Sequence, residues 1–302
     1  MKTPISQRAS AVAASAILLG GLATAATTAV PASATASAAA AACQISVGSV
    51  TSAGDLAHNV ITASNPPTVK HTTGQHMFTP GVAKVSSTWT YTLLNPVGYV
   101  DSAYVVLNSS LYHAAYGQGT DGKPINSLSK IGGGWGNFTA VEESFYWGKT
   151  VRGAVYGLRN DGVLYRWTDG FKKVSSYPGF AAVKTMALIS ETATYDTFLA
   201  NTRGGALYTI RIPISTPMKP VVKQVRASTW QGFESLVAEK CGTQSTLLTA
   251  IDKDTGSAYL YAVGHGNGTA TVIQGLGKVP GTYTDPVYYL NTAEGNAPLF
   301  GE

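Results

Sequence analysis

Apolar and polar residues alternate along this chain in short runs bounded by Gly, Asn and Asp. A period of two is the pattern of half-buried β-strands. One stretch predicts strands at Phe180–Leu188, Thr197–Asn201, Ala206–Ile212 and Val221–Val225. The next predicts Phe233–Lys240, Thr246–Ile251, Ala258–Val263 and Val272–Lys278. Outside the first 42 residues, no segment carries apolar residues at helical spacing.

These runs recur with a period. A turn followed by Leu-Tyr occurs at Leu111-Tyr112, Leu164-Tyr165, Leu207-Tyr208 and Leu260-Tyr261, with a degenerate copy at Leu56-Ala57. The leucines are 55, 53, 43 and 53 residues apart. A second marker is an aromatic ahead of a strand: Trp89, Trp135, Tyr177, Trp230 and Tyr283, with a mean spacing of 48.5 residues. Two markers in constant order define a repeat, and four strands in such a unit match a β-propeller blade. At the ends, the Leu56 strand and Val82–Val85 read as the second half of a unit, and Pro286–Leu290 with Ala297–Phe300 as the first half. Joined, the halves complete a fifth sheet and leave few open edges. The expected fold is all-β: one five-bladed β-propeller of four-stranded blades over residues 43–302, closed by N- and C-terminal strands. A β-sandwich with accessory hairpins is the competing arrangement.

Composition agrees with this class and narrows the setting. Of 302 residues, 44% are apolar and only 12% charged, with 33 Gly and 16 Tyr. That apolar content excludes disorder for most of the chain. The net charge of +5 carries no Lys/Arg cluster, which excludes nucleic-acid binding. Residues 1–42 read as a secretory signal peptide and an Ala-rich segment. Lys2 and Arg8 precede the apolar stretch Ala11–Val30, and Ala32-Ser33-Ala34 and Ala36-Ser37-Ala38 have signal-peptidase spacing. A membrane anchor fits less well, because the stretch is Ala-rich, interrupted by Gly and followed by Pro31. Attachment of lipid at Cys43 fits poorly too, since the hydrophobic region ends well before it. The chain is therefore expected to be extracellular, without membrane insertion. Without Lys2 and Arg8 its charge is about +3, which dictates no partner. Cys43 and Cys241 are the only cysteines, so an oxidising compartment predicts one disulfide. Two buried thiols are the alternative.

Ser129-Lys130-Ile131-Gly132-Gly133-Gly134-Trp135-Gly136-Asn137-Phe138 resembles the Ile-Gly-x-Gly-Gly-Trp-x-x-Phe motif of tachylectin-type propeller lectins. The Leu-Tyr strand is similar to that family's repeat. The resemblance implies a five-bladed ring with one N-acetylhexosamine site per repeat. Trp230-Gln231-Gly232-Phe233 and Tyr177-Pro178-Gly179-Phe180 keep only aromatic-x-x-Phe, and no unit holds the family's Asp-Asn-Trp element. This implies fewer sites or a different glycan.

The residues suit that chemistry. Sugars lay C–H faces on aromatic rings and need partners for their hydroxyls. Gly133 and Gly134 let the backbone approach a ligand, Trp135 offers a stacking face and Asn137 a hydrogen-bonding amide. Tyr177 and Trp230 are counterparts in other repeats. The candidate carbohydrate-binding residues are thus Gly133, Gly134, Trp135, Asn137, Tyr177 and Trp230. The competing role for the aromatics is to wedge neighbouring blades apart. It is the expected role of Phe138, Phe180 and Phe233, while Tyr112, Tyr165, Tyr208 and Tyr261 are expected to pack between strands.

Catalytic patterns are thin. There is no Gly-x-Ser-x-Gly, no His-Glu-x-x-His and no cysteine cluster. His58, His71, His76, His113 and His265 share no metal-ligand spacing, and Asp252-Lys253-Asp254-Thr255-Gly256 lacks the further acids of a calcium loop. No cofactor, metal or enzymatic activity is expected. A propeller glycoside hydrolase is one alternative, and its carboxylates would come from Glu142, Glu143, Asp161, Asp196, Glu234, Glu239 and Asp285. The leading expectation is a secreted lectin for surface or cell-wall glycans, amino sugars above all, with repeated weak sites that gain by avidity. Another alternative is a protein-interaction subunit of a larger secreted assembly, such as an antibacterial toxin, with other secreted subunits as partners.

Overall fold

A computed structural model of the protein describes residues 43–293 and 298–302; the leader expected over residues 1–42 lies outside the described residues. The alternating runs become 21 strands, and among the described residues there is no helix. The chain begins with β1 (Gln44–Val50), β2 (Asp55–Thr62) and β3 (Thr68–His76). It continues through β4 (Ala83–Ser86), β5 (Trp89–Leu94), β6 (Gly98–Leu107), β7 (Ser110–Gln118) and β8 (Pro124–Gly133). A third group is β9 (Phe138–Trp147), β10 (Val151–Arg159), β11 (Leu164–Thr168) and β12 (Lys173–Tyr177). The fourth is β13 (Val183–Glu191), β14 (Tyr195–Thr202), β15 (Leu207–Pro213) and β16 (Val221–Arg226). β17 (Ser235–Cys241), β18 (Ser245–Asp252), β19 (Ser257–Val263) and β20 (Ile273–Val279) follow, and β21 (Val287–Ala293) comes last.

Consecutive strands pair antiparallel in the four-stranded orders β5-β6-β7-β8, β9-β10-β11-β12, β13-β14-β15-β16 and β17-β18-β19-β20. β4 and β5 share one edge of β6. β1, β2 and β3 take their fourth strand from the far end of the chain. β21 pairs antiparallel with β1, setting Val47 against Leu290 and Val50 against Val287. It also runs parallel to β5 from Asn291↔Trp89 to Ala293↔Tyr91, which fuses two groups into a nine-stranded sheet.

Side-chain pattern decides which strand lies where. β14 (YDTFLANT) and β18 (STLLTAID) carry apolar residues on both faces and are buried on both. β3 (TVKHTTGQH) and β8 (PINSLSKIGG) are polar and mostly exposed. A second strand has sheets packed on either side, whereas a fourth strand borders water.

The apolar side chains pack between neighbouring groups. Ala103 and Val105 meet Val50 and Val287, and Val106 and Leu111 meet Val141 and Val155. Leu158 and Leu164 meet Leu188 and Phe198, and Leu199 and Leu207 meet Leu248 and Ala250. Leu247 and Leu260 in turn meet Ile45, Val47 and Leu290, so the last group packs on the first. Each such aliphatic chain stabilises the fold by about 2 kcal/mol on burial. One interface also encloses an ion pair. Asp196, with no exposed surface, accepts from Arg152 Nη1 at 2.8 Å, Tyr156 OH at 2.6 Å and Ser144 Oγ at 2.7 Å.

The disulfide joins Cys43 to Cys241 with their Cα atoms 5.6 Å apart, linking the entry to β1 with the end of β17 across 198 positions. The terminal unit differs from the two-plus-two division expected. Three of its strands come from the start of the chain and one from the end, because Gln44–Val50, with fully buried Ile45 and Val47, is itself a strand. Ala83–Ser86 belongs to the next group, against β6. Of the strand expected at Ala297–Phe300, Ala297 is outside the described residues, and Phe300 bridges Ser190 in β13 instead of extending the terminal unit.

Candidate functional site

The aromatic marker resolves into a repeated joint. As the chain leaves each group, the N–H of an aromatic residue donates to the turn between that group's second and third strands. Phe78 donates to Gly54 O (3.0 Å), Trp135 to Ser109 O (2.9 Å), Phe180 to Gly162 O (2.9 Å), Trp230 to Gly205 O (3.0 Å) and Tyr283 to Gly256 O (3.0 Å). A side chain at Gly162 would lie 2.1 Å from the Ala181 nitrogen, so only glycine permits this approach. The register differs from the sequence expectation: Phe78 and Phe180 hold the joint positions, not Trp89 and Tyr177.

These joints correct the stacking role expected of two tryptophans. Trp135 is 7% exposed and Trp230 is 5% exposed. The Trp135 ring packs 4.4 Å from Phe138 and 4.7 Å from Trp167, and Trp230 lies 5.1 Å from Tyr261 and 5.5 Å from Phe233. Asn201 Nδ2 donates to the carbonyls of Trp230 (2.7 Å) and Phe233 (2.9 Å), fixing that loop. Burial of a large ring between sheets is favourable by area alone, so both tryptophans are wedges. Tyr177 is exposed at the end of β12, paired opposite Leu164 and 6.2 Å from Phe180.

Around Trp135 the remaining candidates stay open. Gly133, Gly134 and Asn137 are exposed. Gly134 has φ +85°, and no atom lies within 4 Å of a side chain built on it or on Gly133. Asn160 N–H donates to Asn137 O at 2.8 Å, which brings the β10–β11 turn alongside. That turn adds Arg159 and Tyr165, which the sequence reading did not assign to a site, and Asp161, which it named only among possible hydrolase acids. Arg159 Nε donates to both carboxylate oxygens of Asp161 at 2.9 and 3.0 Å and lies 5.4 Å over the Tyr165 ring. The guanidinium holds the Asp161 carboxyl below its ordinary range. Half-buried Tyr165 stacks on Trp167 at 5.4 Å and meets Phe138 at 5.7 Å. An exposed amide, a fixed ion pair and an aromatic edge thus share one corner. The available sequence signal was the Asp161–Tyr165 turn and strand; its proximity to Asn137 depends on the hydrogen bond between the two loops.

The acids divide. Asp161 lies at that surface corner, Asp196 is the buried partner of Arg152, and Asp285 accepts from Ser49 Oγ at 2.6 Å. Glu142, Glu143, Glu234 and Glu239 line a cavity of about 670 Å³ walled by the first strands of the groups, together with Glu191, which sequence reasoning did not single out. Burial raises the carboxyls of Glu142, Glu143, Glu191 and Glu239 from their ordinary values. Glu143 and Glu191 reach about 7, with the charge of Glu142 adding to both. Among the described residues, no group of His, Cys, Asp and Glu is placed to hold a metal ion, and no helix is long and apolar enough to cross a membrane.

The fold and site define an all-β protein of packed four-stranded antiparallel sheets with open corners at the joints. No protein-family model matches the chain, and no curated protein matches it in sequence. Among solved structures it is similar to the SapL1 lectin, determined in complex with α-methyl fucoside. That similarity has a TM-score of 0.40 and 8% identity, over 80% of this chain and 99% of the lectin chain.

Proposed function

We propose that the chain is a secreted, non-enzymatic, carbohydrate-binding β-propeller whose groups close into a five-bladed ring over residues 43–302. The pairing of β21 with β1 and the packing of the last group on the first support closure. The disulfide supports export, since such bonds persist in oxidising compartments. The observation that carries glycan binding is the corner of Gly133, Gly134, Asn137, Arg159, Asp161 and Tyr165. It combines an aromatic edge for a sugar's C–H face with neutral and charged partners for hydroxyls. Trp135 supports the corner from below, and the Trp230 and Tyr177 regions are weaker counterparts. The ligand would be a surface or cell-wall glycan bearing N-acetylhexosamines. One such site binds on the order of millimolar, about 4 kcal/mol, and several in a rigid ring gain by avidity.

A glycan array probed at several protein densities tests this. Wild type is expected to retain amino-sugar glycans, and Asn137→Ala and Tyr165→Ala to lose at least about tenfold in apparent affinity while remaining folded. Absence of binding at the highest density sinks the proposal. A second reading has its own observation: Leu93 and Val97, at the β5–β6 hairpin, are 71% and 73% exposed, as a protein-docking surface in a larger secreted assembly would be. Stoichiometric partners recovered with the tagged chain from culture medium would favour it.

A further inference from the structure

One side of the axial cavity differs from the rest. The edge strand beside β6 breaks at Ser87-Thr88. β4 stays packed beside β9, while β5 turns away to pair with β21. Glu142 reaches across the break and accepts from Thr88 N–H at 2.8 Å. A cleft is left between β5 and β9.

The walls of the cleft follow from strand periodicity. Glu143, Phe145 and Trp147 share one face of β9, and Thr88, Thr90 and Thr92 share one side of the β5 segment; all six line the cavity. The β9 face buries Val141 to 3% and then leaves Phe145 49% and Trp147 65% exposed. Two large aromatic rings at the mouth of a cavity are surface that folding has not covered. The other cavity carboxylates are held by protein donors: Glu142 by Thr88 N–H, Glu191 by Phe145 N–H, Glu234 by Lys253 N–H and Glu239 by Lys240 N–H. Among the described residues, the carboxylate of Glu143 accepts no hydrogen bond.

We propose that this cleft is a second binding site, for a sugar carrying a free amino group. The threonine row pairs with sugar hydroxyls, and the Phe145 and Trp147 rings take the C–H face. Glu143, with the Glu142 charge beside it, receives the ammonium group. An N-acetylated sugar brings no cation to this carboxylate. A linear polyamine brings cations but uses neither the hydroxyl row nor the rings. The cleft opens into the cavity of about 670 Å³ that the first strands of the groups enclose, a volume in the range of small-ligand sites. The cleft is separate from the Trp135 corner, so it stands or falls independently of the lectin site there.

Calorimetric titration of the full mature chain with a glucosamine tetramer, an N-acetylglucosamine tetramer and spermine tests the assignment. The glucosamine tetramer is expected to bind at least about tenfold more tightly than the other two. Glu143→Gln, which keeps the side-chain shape, and Trp147→Ala, at an exposed position, should each weaken it about tenfold or more in a chain still folded by circular dichroism. Asn137→Ala should leave it unchanged while reducing binding at the outer corner. Equal affinity for the acetylated tetramer, equal affinity for spermine, cleavage of the tetramer, or no heat at millimolar ligand would each overturn the proposal.

Discussion

Glu143 and Glu191 show how single residues in the cavity bear on stability. Burial raises both to about 7, with the charge of Glu142 adding at each and Asp196 also at Glu191. Between the ordinary carboxylate range and pH 7 the folded chain therefore keeps protons that the unfolded chain releases. Their contribution is present at pH 4 and is lost as the pH rises through 7. One pH unit corresponds to about 1.4 kcal/mol, and partial access to water brings the effect to the order of 2 kcal/mol per group. Half-buried His58 and His113 have values lowered by desolvation and act in the opposite sense. Urea denaturation of wild type and the Glu143→Gln/Glu191→Gln pair isolates the carboxylates. The variant should gain stability relative to wild type between pH 5 and pH 8, and parallel curves would refute the assignment. At this scale the sequence marked Trp135 and Trp230 through their repeat positions. It could not tell a wedge from a platform, because ring exposure depends on Phe138, Trp167, Phe233 and Tyr261 arriving from other strands.

Among the elements, residues 298–302 form a strap whose destination was not legible. Glu191 N–H donates to Leu299 O at 2.9 Å and Gly301 N–H to Ile189 O at 2.8 Å. The Glu302 carboxylate, in a residue 6% exposed, accepts from Thr197 Oγ1 at 2.6 Å and Arg211 Nε at 3.2 Å, and Arg211 lies 4.3 Å over Tyr195. Pro298 and Leu299 line the cavity that holds Glu143 and Glu191 on the way. Glu302→Ala leaves Thr197 and Arg211 without that acceptor and should cost about 2 kcal/mol by urea denaturation, with Glu302→Gln costing less. No measurable loss would show that the backbone bridges alone hold the strap. A strand near Ala297–Phe300 was expected from its apolar residues, yet its pairing with β13 joins positions more than a hundred residues apart, for which local pattern carries no signal.

For the whole molecule, the β1 region is tied to later parts of the chain twice, by the β21–β1 pairing and by Cys43–Cys241. Closing a 198-residue loop restricts the unfolded chain by up to about 5 kcal/mol in the entropy model. The Cys43→Ser/Cys241→Ser variant should unfold at lower urea but still in one transition, because β21 keeps the terminal sheet intact. Two separated transitions would show that the disulfide carries the closure. Sequence alone determined the period-two strands, the repeat, the all-β class and the cysteine pair, since each depends on local alternation, spacing or count. Val221–Val225 and Ala258–Val263, for example, match β16 and β19 to within a residue or so. Tertiary structure alone decided that the terminal sheet divides three to one, that the marker tryptophans are buried, and that β5 leaves β9 for β21 to open the cleft. Those outcomes arise from competition between distant strands for the same edges and faces, and alternation within a strand is equally satisfied by any partner that covers its apolar side.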